Sequence, residues 1–182
     1  MPGLMARPGA RVVNVASSAH KFGRIDYDDV HAERNYRAGA RYGMSKLANL
    51  LFSSELARRA RTAGWTLISV ASHPGFSATN LFAAGSSTTR HPVAKAGNKA
   101  VESLISQSAE EGAQPSLYAA TATGVQSGEY YGPDGLFEIR GNPKRVSPNA
   151  SARNPTRAAE LWEVSEELTG VTFDFPIRSS NH

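Results

Sequence analysis

The sequence predicts an α/β fold of three layers around a partial parallel sheet. Arg11–Val15 (RVVNV) is rich in β-branched residues and follows Pro-Gly turn chemistry, which predicts a strand buried on both faces. Ala38–Ala63 contains no proline and is rich in alanine, leucine and arginine, which predicts a long helix that Gly64 ends. Thr66–Ala71 predicts a second strand. A strand, a helix and a strand within about 60 residues form a crossover that joins parallel strands.

The rest of the chain is treated as part of the same domain, spanning residues 1–182. Gly128–Gly132 (GEYYG) predicts a short third strand before a Pro-Asp-Gly turn. Composition and spacing predict further helical structure at Val93–Ser108, Leu117–Ala122 and Pro155–Leu168, the last with Asn154 as its N-cap and Gly170 after its end. The polar stretches Ala16–Arg37 and Asn142–Asn154 are predicted to be loops.

Composition excludes several classes of function. Of the 182 residues, 40% are hydrophobic and 20% are charged, which is typical of a folded globular protein. The absence of cysteine rules out disulfides, thiolate catalysis and cysteine zinc sites. The net charge of +4 is scattered, and no aromatic residues accompany the basic ones, so no nucleic-acid partner is expected. No apolar run reaches the ~18 residues of a membrane span and no signal peptide is recognisable, so we expect a cytoplasmic protein.

The sharpest local motif is Tyr42-Gly43-Met44-Ser45-Lys46. Tyr42 and Lys46 are four residues apart, so on a helix they share one face. A tyrosine is a poor acid or base at neutral pH, but a nearby ammonium stabilises its phenolate and makes proton exchange with a substrate oxygen feasible. The spacing alone is common by chance, and an exposed pair on a helix surface is the alternative interpretation.

Two further segments follow the predicted strands. Ser17, Ser18 and His20 come after the first strand, and Pro74, Gly75 and Thr79 come after the second. Open α/β sheets bind ligands beyond the carboxyl ends of their strands. A serine hydroxyl there can hold a substrate oxygen beside the tyrosine. The three segments together predict a site far more specifically than any one of them.

These motifs resemble the short-chain dehydrogenase/reductase family, and Arg11–Leu81 is most similar to its retinol-dehydrogenase-like branch. Gly128–Gly141 and Leu161–Gly170 also match that branch, so the resemblance covers nearly the whole chain. It implies a Rossmann-like fold and NAD(P)-dependent hydride transfer between an alcohol and a ketone or aldehyde, with an apolar substrate. It also implies that the long helix pairs with its copy in a homo-oligomer.

The resemblance assigns roles residue by residue. Ser18 is implied to orient the substrate, with Ser17 as the alternative one residue away. Tyr42 is implied to be the catalytic acid/base, and Lys46 to assist it and to bind the nicotinamide ribose. Positions lining the nicotinamide are implied at Pro74, Gly75 and Thr79.

One part of the family pattern is missing from the sequence. No TGxxxGxG loop is present to bind the cofactor pyrophosphate at a helix N-terminus. The resemblance therefore covers the C-terminal half of the family's fold, and we expect a truncated gene or a start inside a longer reading frame. As given, the chain is expected to bind NAD(P) weakly or not at all and to be unstable as a monomer.

Two other functions are compatible with parts of the sequence. A serine hydrolase would combine Ser17 or Ser18 with His20 or His73, but the sequence contains no G-x-S-x-G elbow. An inactive remnant, or an interaction module that pairs with a full-length relative, is the alternative to an enzyme. Cofactor binding separates an enzyme from a remnant. No cluster of histidine and acidic residues has the spacing of a metal site.

Overall fold

A four-stranded sheet organises the part of the chain that the computed structural model describes, residues 2–5, 7–75 and 107–177. In spatial order its strands are β1 (Arg11–Val15), β2 (Ile68–Ser72), β3 (Tyr130–Pro133) and β4 (Pro143–Arg145). The first three strands are parallel, and β4 runs antiparallel to β3. The three predicted parallel strands are therefore present, together with a fourth strand of opposite direction.

Helices cover both faces of this sheet. The described α-helices are α1 (Pro2–Met5), α2 (Ala38–Thr62), α3 (Ala109–Thr121) and α4 (Pro155–Thr169), and the last three form the two covering layers. Helices α2 and α4 pack together on one face, whereas α3 packs on the other face against β1, β2 and β3. The predicted three-layer α/β arrangement is confirmed.

Neighbouring residues of β2 divide the core between the two faces. Ala71 joins a buried cluster with Leu47, Leu50 and Leu51 of α2, whereas Val70 joins a second cluster with Ala119 of α3. Successive side chains of a strand point to opposite faces, so one short strand serves both layers. The core therefore lies on both sides of β2, the strand whose last four residues are fully buried.

Local signals located several boundaries well. Strand β1 has the predicted bounds, and α2 begins at the predicted residue and ends one residue early, before Gly64 at φ 72°. Strand β2 begins two residues later than predicted and ends one residue later. Helix α4 begins at Pro155, with the Asn154 side chain accepting a hydrogen bond from the Arg157 amide, and ends at Gly170 in the left-handed conformation.

The prediction that β1 is buried on both faces is wrong. Its residues are only partly buried, and Val15 is 46% exposed. Among the described residues β1 pairs with β2 alone, so it is an edge strand. An edge strand keeps one row of backbone groups unpaired and has fewer neighbours to cover its side chains.

Three further segments differ from the prediction. The predicted loop Ala16–Arg37 contains two short 3₁₀ helices, and the predicted loop Asn142–Asn154 contains β4. Helix α3 begins eight residues before the predicted Leu117, because Ser108 and Glu111 form a capping box at its N-terminus. All but the last two residues of the helix predicted at Val93–Ser108 lie outside the described residues.

Candidate active site

The loops after β1 and β2 leave the sheet at one edge. Val15, the last residue of β1, pairs in register with Ser72, the last residue of β2. The two strands are parallel, so Ser17 and Ser18 follow one of them and Pro74 and Gly75 follow the other at the same carboxyl edge. This is the edge at which open α/β sheets bind their ligands.

Helix α2 brings Tyr42 and Lys46 to this edge. The Lys46 ammonium lies 5.5 Å from the centroid of the Tyr42 ring. It donates a hydrogen bond to the carbonyl oxygen of Val15 at 3.3 Å, and Asn49 Nδ2 donates to the same oxygen at 3.0 Å. The lysine is therefore held between the end of β1 and the tyrosine ring, and both side chains are half-buried.

Two glycines allow α2 to approach the serine loop closely. A Cβ atom on Gly43 would lie 3.0 Å from the Ala19 carbonyl oxygen, and one on Gly23 would lie 2.3 Å from the Gly43 carbonyl oxygen. Any side chain at Gly23 would push the helix away from the turn that begins at Ser18. The glycine inside the Tyr-Gly-Met-Ser-Lys motif thus helps to set how near the tyrosine-bearing helix lies to Ser18.

The two candidate serines have different environments. The Ser17 hydroxyl accepts a hydrogen bond from the Ala19 amide at 3.2 Å and so caps the 3₁₀ helix Ser18–Phe22. Its carbonyl oxygen accepts a hydrogen bond from the ring of His20 at 2.7 Å. Ser18 is the first residue of this helix and is half-buried. The expectation that the Ser18 and Tyr42 oxygens lie within ~6–7 Å of each other stays a prediction.

The loop after β2 is closely packed. Gly75 has φ 71°, and a Cβ atom there would lie 2.3 Å from the Ile139 carbonyl oxygen. The Gln107 side chain donates a hydrogen bond to the Pro74 carbonyl oxygen. Pro74 and Gly75 thus lie at the expected edge, and glycine is required at the second position. The predicted cofactor contact Thr79 and the predicted pocket wall Phe76–Arg90 lie outside the described residues.

Two histidines in the segments that follow β1 and β2 are buried. His20 and His73 both have fully buried side chains, and each ring contacts the ring of Tyr130. Burial lowers the pKa of His20, and it lowers the pKa of His73 to about 4, although Glu138 opposes that shift. Both rings are therefore neutral at neutral pH. Burial also raises the pKa of the Tyr130 hydroxyl.

A polar cavity lies beside the first turns of α2, and the described residues offer no metal site. One cavity of about 730 Å³ borders Met44, two residues after Tyr42, and its wall includes Arg24, Arg37 and Asp26. Among residues 2–5, 7–75 and 107–177, no three histidine or acidic side chains are grouped so that they could hold a metal ion. In the same ranges, no helix combines the length and the hydropathy that crossing a membrane requires.

Curated relatives share this chain's sequence over most of its length. Human retinol dehydrogenase 12 is 38% identical over 167 residues, which are 91% of this chain and 47% of that protein. Human retinol dehydrogenase 11 is 36% identical over the same shares, and human retinol dehydrogenase 13 is 35% identical over 92% of this chain and 48% of its own length. The chain is homologous over most of its length to the C-terminal part of the retinol dehydrogenases.

This retinol dehydrogenase homologue spans about half the length of the curated relatives it matches, corresponding to their C-terminal part. A crystal structure of an uncharacterized protein from Mycobacterium paratuberculosis has 36% sequence identity and a TM-score of 0.70, covering 91% of this chain and 52% of that one. The likeness is consistent with a partial Rossmann-like fold. No protein-family model matches the chain.

Sequence reasoning missed several groups at this edge of the homologue. Asn49 shares the carbonyl of Val15 with Lys46, and its spacing of three residues from Lys46 was the signal that could have revealed it. His20 and His73 were correctly expected after the two strands, but no sequence pattern indicated that they are buried. Glu138, which contacts His73, is 65 residues further along the chain and was not singled out.

Proposed function

We propose that this protein is an oxidoreductase that transfers hydride between NAD(P) and an alcohol or carbonyl substrate, with Tyr42 as the acid/base. The observation that carries the proposal is the position of Lys46. Its ammonium lies beside the Tyr42 ring and is bonded to the last residue of β1, at the carboxyl edge of the parallel strands. The homology to retinol dehydrogenases supports the same reaction class.

Tyr42, Lys46 and Ser18 have different roles in the proposed reaction. Tyr42 gives a proton to, or takes one from, the oxygen of the reacting carbon. Lys46 favours the anionic form of that phenol, since a positive charge near a phenolate stabilises it. Ser18 donates a hydrogen bond that orients the substrate oxygen, and Ser17, whose hydroxyl accepts the Ala19 amide, is the alternative donor.

The donor groups at this edge suit the nicotinamide end of NAD(P). A lysine ammonium has three donors, so Lys46 can bond ribose hydroxyls while it keeps its bond to Val15. Pro74 and Gly75 offer a close backbone surface beside it, and Thr79 completes the predicted contact set. When bound, NAD(P) supplies the hydride donor or acceptor. The sequence offers no glycine-rich loop for the pyrophosphate, so we expect this chain alone to bind the cofactor weakly.

The substrate class is proposed from the relatives. Retinol dehydrogenases are named for an apolar alcohol, so we expect a hydrophobic alcohol or aldehyde here. The loop Phe76–Arg90 would supply apolar side chains to the pocket. Activity confined to small charged carbonyls would refute this substrate class, because burying a charged group in an apolar pocket is unfavourable.

The test compares Tyr42→Phe with Tyr36→Phe, a control that changes an exposed tyrosine six residues earlier. Turnover of retinol and of smaller alcohols with NAD and NADP is measured on the chain and on a fusion to the N-terminal part of human retinol dehydrogenase 12. We expect Tyr42→Phe to lower turnover of the fusion by about 10²–10⁴-fold without loss of cofactor binding, whereas Tyr36→Phe leaves turnover unchanged.

Unchanged turnover in Tyr42→Phe would refute the role of Tyr42. A folded wild-type fusion that binds NADPH but turns over no substrate would refute the enzymatic proposal itself. Micromolar binding of NADPH by the chain alone, with a cooperative melt as a monomer, would refute the expectation of weak binding.

A further inference from the structure

The turn between β3 and β4 contains two strained residues. Phe137 and Glu138 have φ values of 54° and 58°, which side-chain-bearing residues rarely adopt. Such conformations are costly and persist only where the surrounding structure enforces them, and they cluster at functional sites. The unusual backbone conformation at Glu138 therefore points to a role for its side chain.

Backbone hydrogen bonds hold this turn in place. The Gly135 amide donates to the Arg140 carbonyl at 3.0 Å, and the Glu138 amide donates to the Gly135 carbonyl at 2.9 Å. The turn also packs against the loop after β2, where the Ile139 carbonyl occupies the space that a side chain on Gly75 would need. Glu138 is thus held directly beside the candidate site.

The Glu138 carboxylate reaches residues from both site loops. Its Oε2 lies 3.1 Å from His73 Nε2, immediately after β2, and 3.7 Å from the Lys21 ammonium, in the 3₁₀ helix after β1. His73 is fully buried, and neither His73 Nε2 nor Glu138 Oε2 makes a hydrogen bond with the other or with any further group that the structure describes. The contact between these two atoms is therefore a close polar approach without hydrogen-bond geometry.

The second nitrogen of His73 connects this pair to the Pro74–Gly75 loop. His73 Nδ1 accepts a hydrogen bond from the Gly75 amide at 3.2 Å. A neutral imidazole has one donor and one acceptor nitrogen, so Nε2 must carry the proton, and it lies 3.1 Å from Glu138 Oε2. The ring also packs against the backbone of Gly132, where a Cβ atom would lie only 1.9 Å from Nε2.

The neighbouring histidine connects the same cluster to the serine loop. His20 Nδ1 lies 2.7 Å from the Ser17 carbonyl oxygen, and its Nε2 accepts a hydrogen bond from the Asn149 amide at 3.3 Å. Besides these bonds, the groups that face His73 are Tyr130, His20, Lys21 and Glu138. Glu138 is the acidic group among them.

We propose that Glu138 is a positioning residue that fixes the Nε2-protonated form of His73 and thereby holds the Gly75 backbone in the conformation of the candidate site. The same carboxylate forms an ion pair with Lys21 in the 3₁₀ helix that follows β1. One side chain of the β3–β4 turn therefore contacts both site loops. The inference rests on the proposed function only in assigning the Pro74–Gly75 loop to the cofactor. Its structural part stands independently of turnover.

The experiment measures His73 and Gly75 by NMR in Glu138→Ala, Glu138→Gln and Lys21→Met. Glu163→Gln is the control, the same chemical change at an exposed glutamate of α4. Nitrogen-15 shifts of the His73 ring report its tautomer, and hydrogen exchange reports the Gly75 amide. Amides of Leu50 and Leu51 in α2 serve as internal references for global stability.

We expect wild-type His73 to be protonated on Nε2, and Glu138→Ala to mix its tautomers and to speed Gly75 exchange by about tenfold relative to the α2 amides. Glu138→Gln should restore both signals, because its amide oxygen keeps a partial negative charge beside the proton on His73 Nε2. Lys21→Met should leave Gly75 unchanged, as should Glu163→Gln.

Three results would overturn the proposal. They are an Nδ1-protonated His73 in the wild type, unchanged Gly75 exchange in Glu138→Ala, and a rise in exchange that is equal at Gly75 and in α2. The last would show a general loss of stability rather than positioning. A failure of Tyr42→Phe to affect turnover would refute the proposed function and leave these NMR outcomes unaffected, so the two failures are distinguishable.

Discussion

The Lys46 ammonium donates a hydrogen bond to the carbonyl oxygen of Val15, the last residue of β1. Val15 belongs to an edge strand among the described residues, so this carbonyl lies where the sheet itself provides least support. Asn49, one helical turn further along α2, donates to the same oxygen. The helix that carries Tyr42 is thus joined to the sheet by two side chains that share one acceptor.

Asn49→Ala is expected to lower the free energy of unfolding by about 1 kcal/mol, the usual contribution of one hydrogen bond. Lys46→Met should cost less, because the Lys46 bond is longer and its ammonium can be solvated. Urea denaturation of both single variants and the double variant gives their coupling. Strictly additive effects would contradict the shared acceptor.

Gly23→Ala should destabilise the protein by about 1–3 kcal/mol, since its new methyl group would overlap the Gly43 carbonyl. The matched control is Gly39→Ala in the first turn of α2, where a Cβ atom meets nothing within 4 Å and alanine favours the helix. Thermal melts of the two variants provide the comparison. Equal stability of Gly23→Ala and the wild type would show that α2 does not approach the serine loop as closely as described.

Acidification below neutral pH should destabilise the protein through His73. The folded state lowers the pKa of this histidine from its ordinary 6.5 to about 4, so between these values the unfolded chain binds a proton that the folded chain excludes. The stability contributed by neutral His73 is complete above pH 6.5 and is lost as the pH falls towards 4. The loss is on the order of 3 kcal/mol, and His20 adds to it in the same direction.

Urea denaturation across this pH range tests the linkage. His73→Asn should flatten the dependence of unfolding free energy on pH, whereas His31→Asn, at an exposed histidine, should leave it unchanged. An unaltered slope in His73→Asn would assign the acid sensitivity to other groups.

Ser108→Ala should lower stability by about 1 kcal/mol, because the serine hydroxyl accepts the Glu111 amide at 3.1 Å and so caps α3. Ser108→Asp should retain most of that stability, since a carboxylate oxygen can accept the same amide and suits a helix N-terminus. Chemical denaturation of the two variants distinguishes them. Equal losses in both would contradict the capping role.

Elements whose signals are local were predictable from the sequence. Helix α2 has a long stretch free of proline and a glycine after its end, and α4 has Asn154, Pro155 and Gly170 at its two ends. Each of these signals acts within one helical turn, so neighbouring residues suffice to express it. The spacing of Tyr42 and Lys46 is equally local, and the structure does place them beside each other.

Elements that depend on distant partners were not predictable. Strand β4 has the sequence Pro-Lys-Arg, which carries no strand pattern and becomes a strand only by pairing with β3. Helix α3 includes Pro115, a residue that ordinarily interrupts helices, and its capping box outweighs that signal. The exposure of β1 likewise depends on which strands lie beside it rather than on its own valines.

By itself, the sequence determined the order of the three parallel strands, the ends of α2 and α4 to within a residue, and the residue types that the site offers, because these are encoded within a few residues of one another. Only the tertiary structure decided that His73 meets Glu138, that Lys46 and Asn49 share the Val15 carbonyl, and that Gly23 and Gly43 allow close packing. Such contacts join residues far apart in the chain. They depend on how the layers pack and on which buried polar atoms find partners. The spacing of neighbouring residues in the sequence predicts neither of these.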